Sequence, residues 1–68
     1  MLQATELDAL NYLVRYKESP AIRQIDQEFI ERLDRYYRDA QARLTERQAA
    51  YLMGLFHKVA DYNDRMGI

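Results

Sequence analysis

The sequence predicts an all-α fold, a small antiparallel bundle of three helices, on three observations. Glycine and proline are sparse, with two Gly and one Pro among 68 residues, so little interrupts a helical stretch. Three helix-start signals divide the chain. Between them, apolar residues recur at three- and four-residue spacing, the period of a helix that buries one side. The expected helices cover 5–18, 20–42 and 46–66 of one domain spanning 1–68, a length that leaves room for one domain only.

The first helix is expected to open at Thr5, with Asp8 three residues on in the manner of a capping box. There the threonine oxygen would accept from an amide that has no partner within the helix. Leu7, Leu10, Leu13 and Val14 form its apolar side, flanked by Tyr12 and Tyr16. Ser19-Pro20 reads as N-cap and first-turn proline of the second helix, a position where the missing N–H costs nothing. Its core stripe is Ile22, Ile25, Phe29, Leu33, Tyr36 and Ala40, widened by Ile30 and Tyr37. The third helix carries the clearest capping box, Thr45-Glu46-Arg47-Gln48, and Gly67 is placed to stop it. Ala49, Leu52, Phe56, Val59 and Ala60 make its stripe, extended by Leu55 and Met66. Short connections favour antiparallel neighbours.

Composition narrows the function. Hydrophobic residues are 49% and charged residues 31% of the chain, which is globular and not disordered. There is no cysteine and one histidine, so disulfides, thiolate metal sites and histidine-rich metal sites are excluded. Ten basic against 11 acidic residues leave a net charge of −1, unlike a protein that coats duplex DNA through positive charge. No apolar run reaches membrane-spanning length. The first residues lack the basic and apolar regions of a signal peptide, so a cytoplasmic location is expected by default.

The charges of the second helix are arranged as acid-before-base pairs four residues apart: Glu28 with Arg32, Glu31 with Arg35, Asp34 with Arg38, and Asp39 with Arg43. Each such pair adds a few tenths of a kcal/mol to a helix. This face therefore reads as a solvated, charge-paired surface in preference to a phosphate-binding one.

The third helix offers a sharper candidate. Arg47, Tyr51, Gly54, Lys58, Tyr62 and Arg65 fall on one strip, at spacings of 4, 3, 4, 4 and 3, with no acid among them. Tyrosine and arginine are enriched at protein–protein hot spots. The same residue types can stack on bases and hold the backbone of a single strand. They can also be amphipathic rim residues that cover the domain's own core. Gly54 in mid-helix costs about 1 kcal/mol relative to alanine, and close approach of another backbone would account for it. Of the two binding readings, the whole-chain charge favours a protein partner. Symmetric self-association through Tyr51, Leu55 and Tyr62, giving a homodimer, is a further expectation.

Catalysis finds little support. His57 precedes Asp61 by four residues and Asp64 by seven, but the three span two turns of one polar face, and an ordinary surface histidine is the preferred reading. Ser19 is the only serine and is already used as a cap, so no nucleophile pairs with His57. Asp26 lies within the apolar arc of the second helix, where a carboxylate must be paired or hydrogen-bonded. Its expected partners are Tyr37 or groups at the start of the third helix. Asn63, similarly placed, could fix register at an interface. The expectation is a non-enzyme without metal or cofactor.

The stretch from Ile25 to Val59 resembles a helical module of small phage and mobile-element proteins. The shared features are Asp26 followed by Phe29-Ile30, then a turn, then Leu44-Thr45-x-x-Gln48 opening an apolar helix. The resemblance implies a bacterial or phage source and a link to DNA metabolism, and no functional residues are carried over from it. The function expected is a small regulatory module that occupies a surface of a larger host protein. The alternative is an accessory protein that binds single-stranded nucleic acid.

Overall fold

The computed structural model describes residues 4–37 and 43–68. Three helices make up the fold: α1 (Ala4–Arg15), α2 (Gln24–Tyr36) and α3 (Glu46–Met66). They form a small all-α three-helix bundle. α1 packs against both of the others, while α2 and α3 approach each other less closely. The core consists of Ala9, Leu10 and Leu13 from α1, Ile30 and Leu33 from α2, and Leu52, Leu55 and Val59 from α3, with Ile22 from the first connection.

The ends of α3 follow the sequence. Thr45 Oγ1 accepts from the Gln48 amide at 3.1 Å, and the Thr45 amide donates back to Gln48 Oε1 at 2.9 Å, which satisfies two end amides reciprocally. Gly67 takes φ 72°, the left-handed conformation that a glycine adopts without steric cost. The Ile68 amide then reaches the Asn63 carbonyl at 2.8 Å and closes the helix.

The other starts differ from expectation. Both Ala4 and Thr5 lie within α1, so Thr5 is not the residue that precedes the helix. α1 also ends at Arg15, not at residue 18, and α2 begins at Gln24, four residues beyond Pro20. Ser19-Pro20 forms a turn instead. The Ile22 amide donates to the Ser19 carbonyl at 3.0 Å and the Ala21 amide to Ser19 Oγ at 3.2 Å. Proline's fixed φ suits the second position of such a turn as well as it suits a helix start. Burial of Ile22 decides between the two, because the turn delivers that side chain to the core. Arg23, in extended conformation, is the N-cap of α2 and makes no side-chain cap. The expected continuation of the second helix to residue 42, and with it Ala40, falls outside the described residues.

The apolar arc of α2 separates into two rows. Asp26, Ile30 and Leu33 are buried. Ile25, Phe29, Arg32 and Tyr36, at spacings of 4, 3 and 4, form the neighbouring row. Of these, Ile25 and Tyr36, both expected in the core, are 64% and 61% exposed. Ile25, Phe29 and Arg32 face the gap between α2 and α3, while Tyr36 lies beside Glu28, Glu31, Arg32 and Arg35 on the outer side of α2. Met66, expected to extend the core stripe of the third helix, is also exposed, in the last turn of α3.

Asn63 occupies a core position, 3% exposed. Its Nδ2 donates to Tyr12 Oη at 2.9 Å, a bond within the chain that ties α3 to α1. Its Oδ1 is buried with no hydrogen-bond partner among the described residues. Tyr12 also packs edge-on against Phe56, with centroids 5.1 Å apart.

Gly54 has no structural cause within the chain, since a Cβ built there meets nothing within 4 Å. Gly54→Ala should therefore stabilise the protein by about 1 kcal/mol through helix propensity alone. Urea unfolding followed by circular dichroism measures this. A loss of stability would mean that the position is sterically constrained.

Candidate functional site

Asp26 is fully buried in the first turn of α2, at the helix end whose dipole favours a negative charge. Arg23 holds it from three residues upstream, with Nε donating to Oδ2 at 3.0 Å and Nη2 to Oδ1 at 3.4 Å. From α3, the Tyr51 hydroxyl donates to Oδ1. Arg23 Nη2 also approaches that hydroxyl, at 3.5 Å. The expectation that this carboxylate is buried and satisfied is met, but Tyr37 is not its partner. Tyr51, one turn beyond the start of α3, takes that place.

The electrostatics follow from the geometry. Burial pushes the Asp26 carboxyl up and is the largest single influence. Hydrogen bonds from Arg23 and Tyr51, with the charges of Arg23 and Lys58, together outweigh it and hold the carboxyl below its ordinary range. The Tyr51 phenol is raised, first by its hydrogen bond to Asp26 and then by burial. Arg23 is raised above its ordinary value by its hydrogen bond to Asp26 and by the carboxylate's charge.

Tyr51 stands between two concavities. On one side, Ile25, Glu28, Phe29 and Arg32 of α2 face Arg47, Gln48 and Tyr51 of α3 across an open groove of about 470 Å³. The Phe29 and Tyr51 rings meet edge to face in it, with centroids 4.8 Å apart. On the other side lies a shallower hollow lined by Arg23, Asp26, Ala50, Tyr51, Gly54, Leu55 and Lys58. Arg47, Tyr51, Gly54 and Lys58 of the predicted strip therefore share one face of the molecule.

The rest of the strip behaves differently. Tyr62 is half-buried. Arg65 is ion-paired with Asp61 one turn back, so this end of the strip is not free of acids. The same pair takes Asp61 away from His57, whose ring instead lies beside Phe56 at 5.3 Å. Leu55, expected at a self-association surface, is 6% exposed and belongs to the core, with only its edge reaching the hollow beside Tyr51. Among the described residues, no group of three acidic or histidine side chains is gathered as a metal site would need, and no helix is long and apolar enough to cross a membrane.

The pairing expected along α2 also changes. Glu31 reaches Lys17 at 3.5 Å instead of Arg35, because the turn after α1 brings the lysine alongside and an exposed i,i+4 pair has little energy with which to compete. Glu28 and Arg32 make no ion pair within 4 Å. The pairs Asp34–Arg38 and Asp39–Arg43 involve residues outside those described. Arg32 and Arg47 thus have no ion-pair partner among the described residues.

Sequence reasoning missed Ile25, Phe29 and Arg32 as lining residues and Arg23 as the partner of Asp26. The 4, 3, 4 spacing of the Ile25–Tyr36 row was the available signal. No protein family, curated protein or solved structure matches the chain.

The depressed Asp26 carboxyl has a consequence for stability. A group whose folded pKa is lowered stabilises the fold above its unfolded pKa, about 3.9, and that contribution disappears as pH falls through the folded value. The stability difference between the wild-type protein and Asp26→Asn should be constant above about pH 5 and shrink below about pH 4. Urea unfolding of both proteins across this range tests it, and a difference that persists unchanged into strong acid would contradict the assignment.

Proposed function

We propose that the chain is a small interaction module that binds a larger protein through the face shared by α2 and α3. Ile25 is the observation that carries this reading. It is an aliphatic side chain, 64% exposed, and it lines a concave surface beside Phe29 and Tyr51. Apolar concavities with an aromatic at the centre and arginines at the edge have the composition of protein-binding hot spots. The Asp26 hydrogen bond and the Phe29 contact hold Tyr51 in place, so little side-chain freedom is left to lose on binding. The resemblance of residues 25–59 to phage and mobile-element modules fits a modulator that occupies a host protein's surface, and its link to DNA metabolism fits a nucleic-acid partner as well.

One observation favours single-stranded nucleic acid as the second reading: Tyr51 is 42% exposed and has Arg47 and Lys58 at either side along the strip. Against it, the Tyr51 ring is engaged by Phe29 on the groove side, and aliphatic Ile25 gives a base nothing to stack on.

The two readings separate by substitution. A pull-down with the tagged chain should retain a protein after nuclease treatment, lose it with Ile25→Asp, and keep it with His57→Ala. Tyr51→Ala is unsuitable for this purpose because it also removes the contact between α2 and α3. Capture that vanishes with nuclease, weakens steeply with salt and falls with Lys58→Glu would favour nucleic acid instead.

A further inference from the structure

We propose that the groove between α2 and α3 takes an acidic amphipathic segment, a short helix whose apolar residues pack against Ile25, Phe29 and Tyr51 while its carboxylates meet Arg32 and Arg47. The inference rests on the protein-binding reading above and adds the chemistry of the partner.

Charge complementarity carries it. The chain as a whole is slightly acidic, with a net charge of −1, yet this face is basic. Arg32 and Arg47 line the groove opposite a single acid, Glu28. Lys58 lies across Tyr51 in the adjoining hollow with Arg23 and Asp26. Asp26 is fully buried and ion-paired with Arg23, and Lys58 acts on it through its charge without forming an ion pair. Arg32, Arg47 and Lys58 therefore face solvent without an ion-pair partner among the described residues, while Glu31, Asp61 and Asp26 are all engaged. Arg47 is further disfavoured where it stands. It lies in the first turn of α3, where the helix dipole opposes a cation, and a carboxylate from outside would relieve that.

The shape agrees with the charge. An open cleft of about 470 Å³ has room for the anchoring side chains of one segment. A floor of Ile25, Phe29 and Tyr51 flanked by cations suits an amphipathic helix laid in a groove, with anchors three and four residues apart. Arginine's planar fork favours carboxylates, which it can bind through two parallel hydrogen bonds.

The test uses the full chain as bait for a displayed library of random helix-length peptides, followed by titration of the enriched sequences. The expected peptides carry apolar residues at i, i+3 or i+4 with Asp or Glu beside them. Arg47→Glu and Arg32→Glu should each weaken them about tenfold or more, equivalent to about 1.4 kcal/mol, and the Arg47→Glu chain should select peptides flanked by Lys or Arg. These positions are exposed, so helicity by circular dichroism should not change. Enriched peptides without acids, indifferent to both reversals but lost with Ile25→Asp, would overturn the acidic partner and leave the protein-binding reading standing. A concentration-dependent dimer abolished by Ile25→Asp would overturn it in favour of a second copy of this chain. Failure to enrich any peptide, with salt-sensitive binding of an oligo-dT strand instead, would overturn both.

Discussion

A carboxylate with no access to water must find its partners inside the protein, and Asp26 finds them on two elements. Arg23 comes from the residue that caps the same helix, and Tyr51 comes from α3. An isolated charge transferred to a protein interior is strongly unfavourable, and the cost is recovered only when hydrogen bonds and opposite charge replace the lost water. Only certain placements of α2 against α3 bring the Tyr51 hydroxyl to Asp26. The contact therefore constrains how these two helices meet, although neither packs closely on the other along its length.

The candidate interface follows from the same arrangement. α1 supplies the close packing and draws the Asp26–Ile30–Leu33 row inward. Ile25, Phe29 and Arg32 of the neighbouring row are left facing the gap. A chain of 68 residues has too little apolar mass to cover every face of three helices, and small domains of this kind bury a modest share of their surface. In this molecule the uncovered face is shaped. Phe29 and Tyr51 are fixed edge to face, and Arg32, Arg47 and Lys58 lie around them with no ion-pair partner among the described residues. The fold and the proposed binding surface thus share one tyrosine, whose hydroxyl serves the fold while its ring is presented to the groove.

Much of the architecture was legible because local rules and tertiary packing agree. The Thr45–Gln48 box and Gly67 mark α3 through backbone groups that any helix end must satisfy. Leu10, Leu13, Leu33, Leu52 and Val59 follow from periodicity alone. Ser19-Pro20 misled because the same dipeptide serves a helix start and a turn, and burial of Ile22, a tertiary fact, selects the turn. Ile25 and Tyr36 misled because one helix's pattern shows how wide its apolar arc is without showing which row a neighbour will cover. The third-helix strip was traced correctly as a line on a helix, but its two ends differ. Arg65 is neutralised by Asp61, while Arg47 and Tyr51 gain a facing wall from α2. That wall lies more than ten residues away in sequence, and its position depends on how three helices pack.

The central claim is that the Tyr51–Asp26 contact joins α2 to α3. A double-mutant cycle of Tyr51→Phe and Asp26→Ala, measured by urea unfolding at neutral pH, tests it most directly. A coupling of about 1–3 kcal/mol between the two positions is predicted, because the hydroxyl donates to a buried carboxylate. Losses that add to within about 0.5 kcal/mol would show that the two side chains act independently, and the contact would no longer account for the placement of α2.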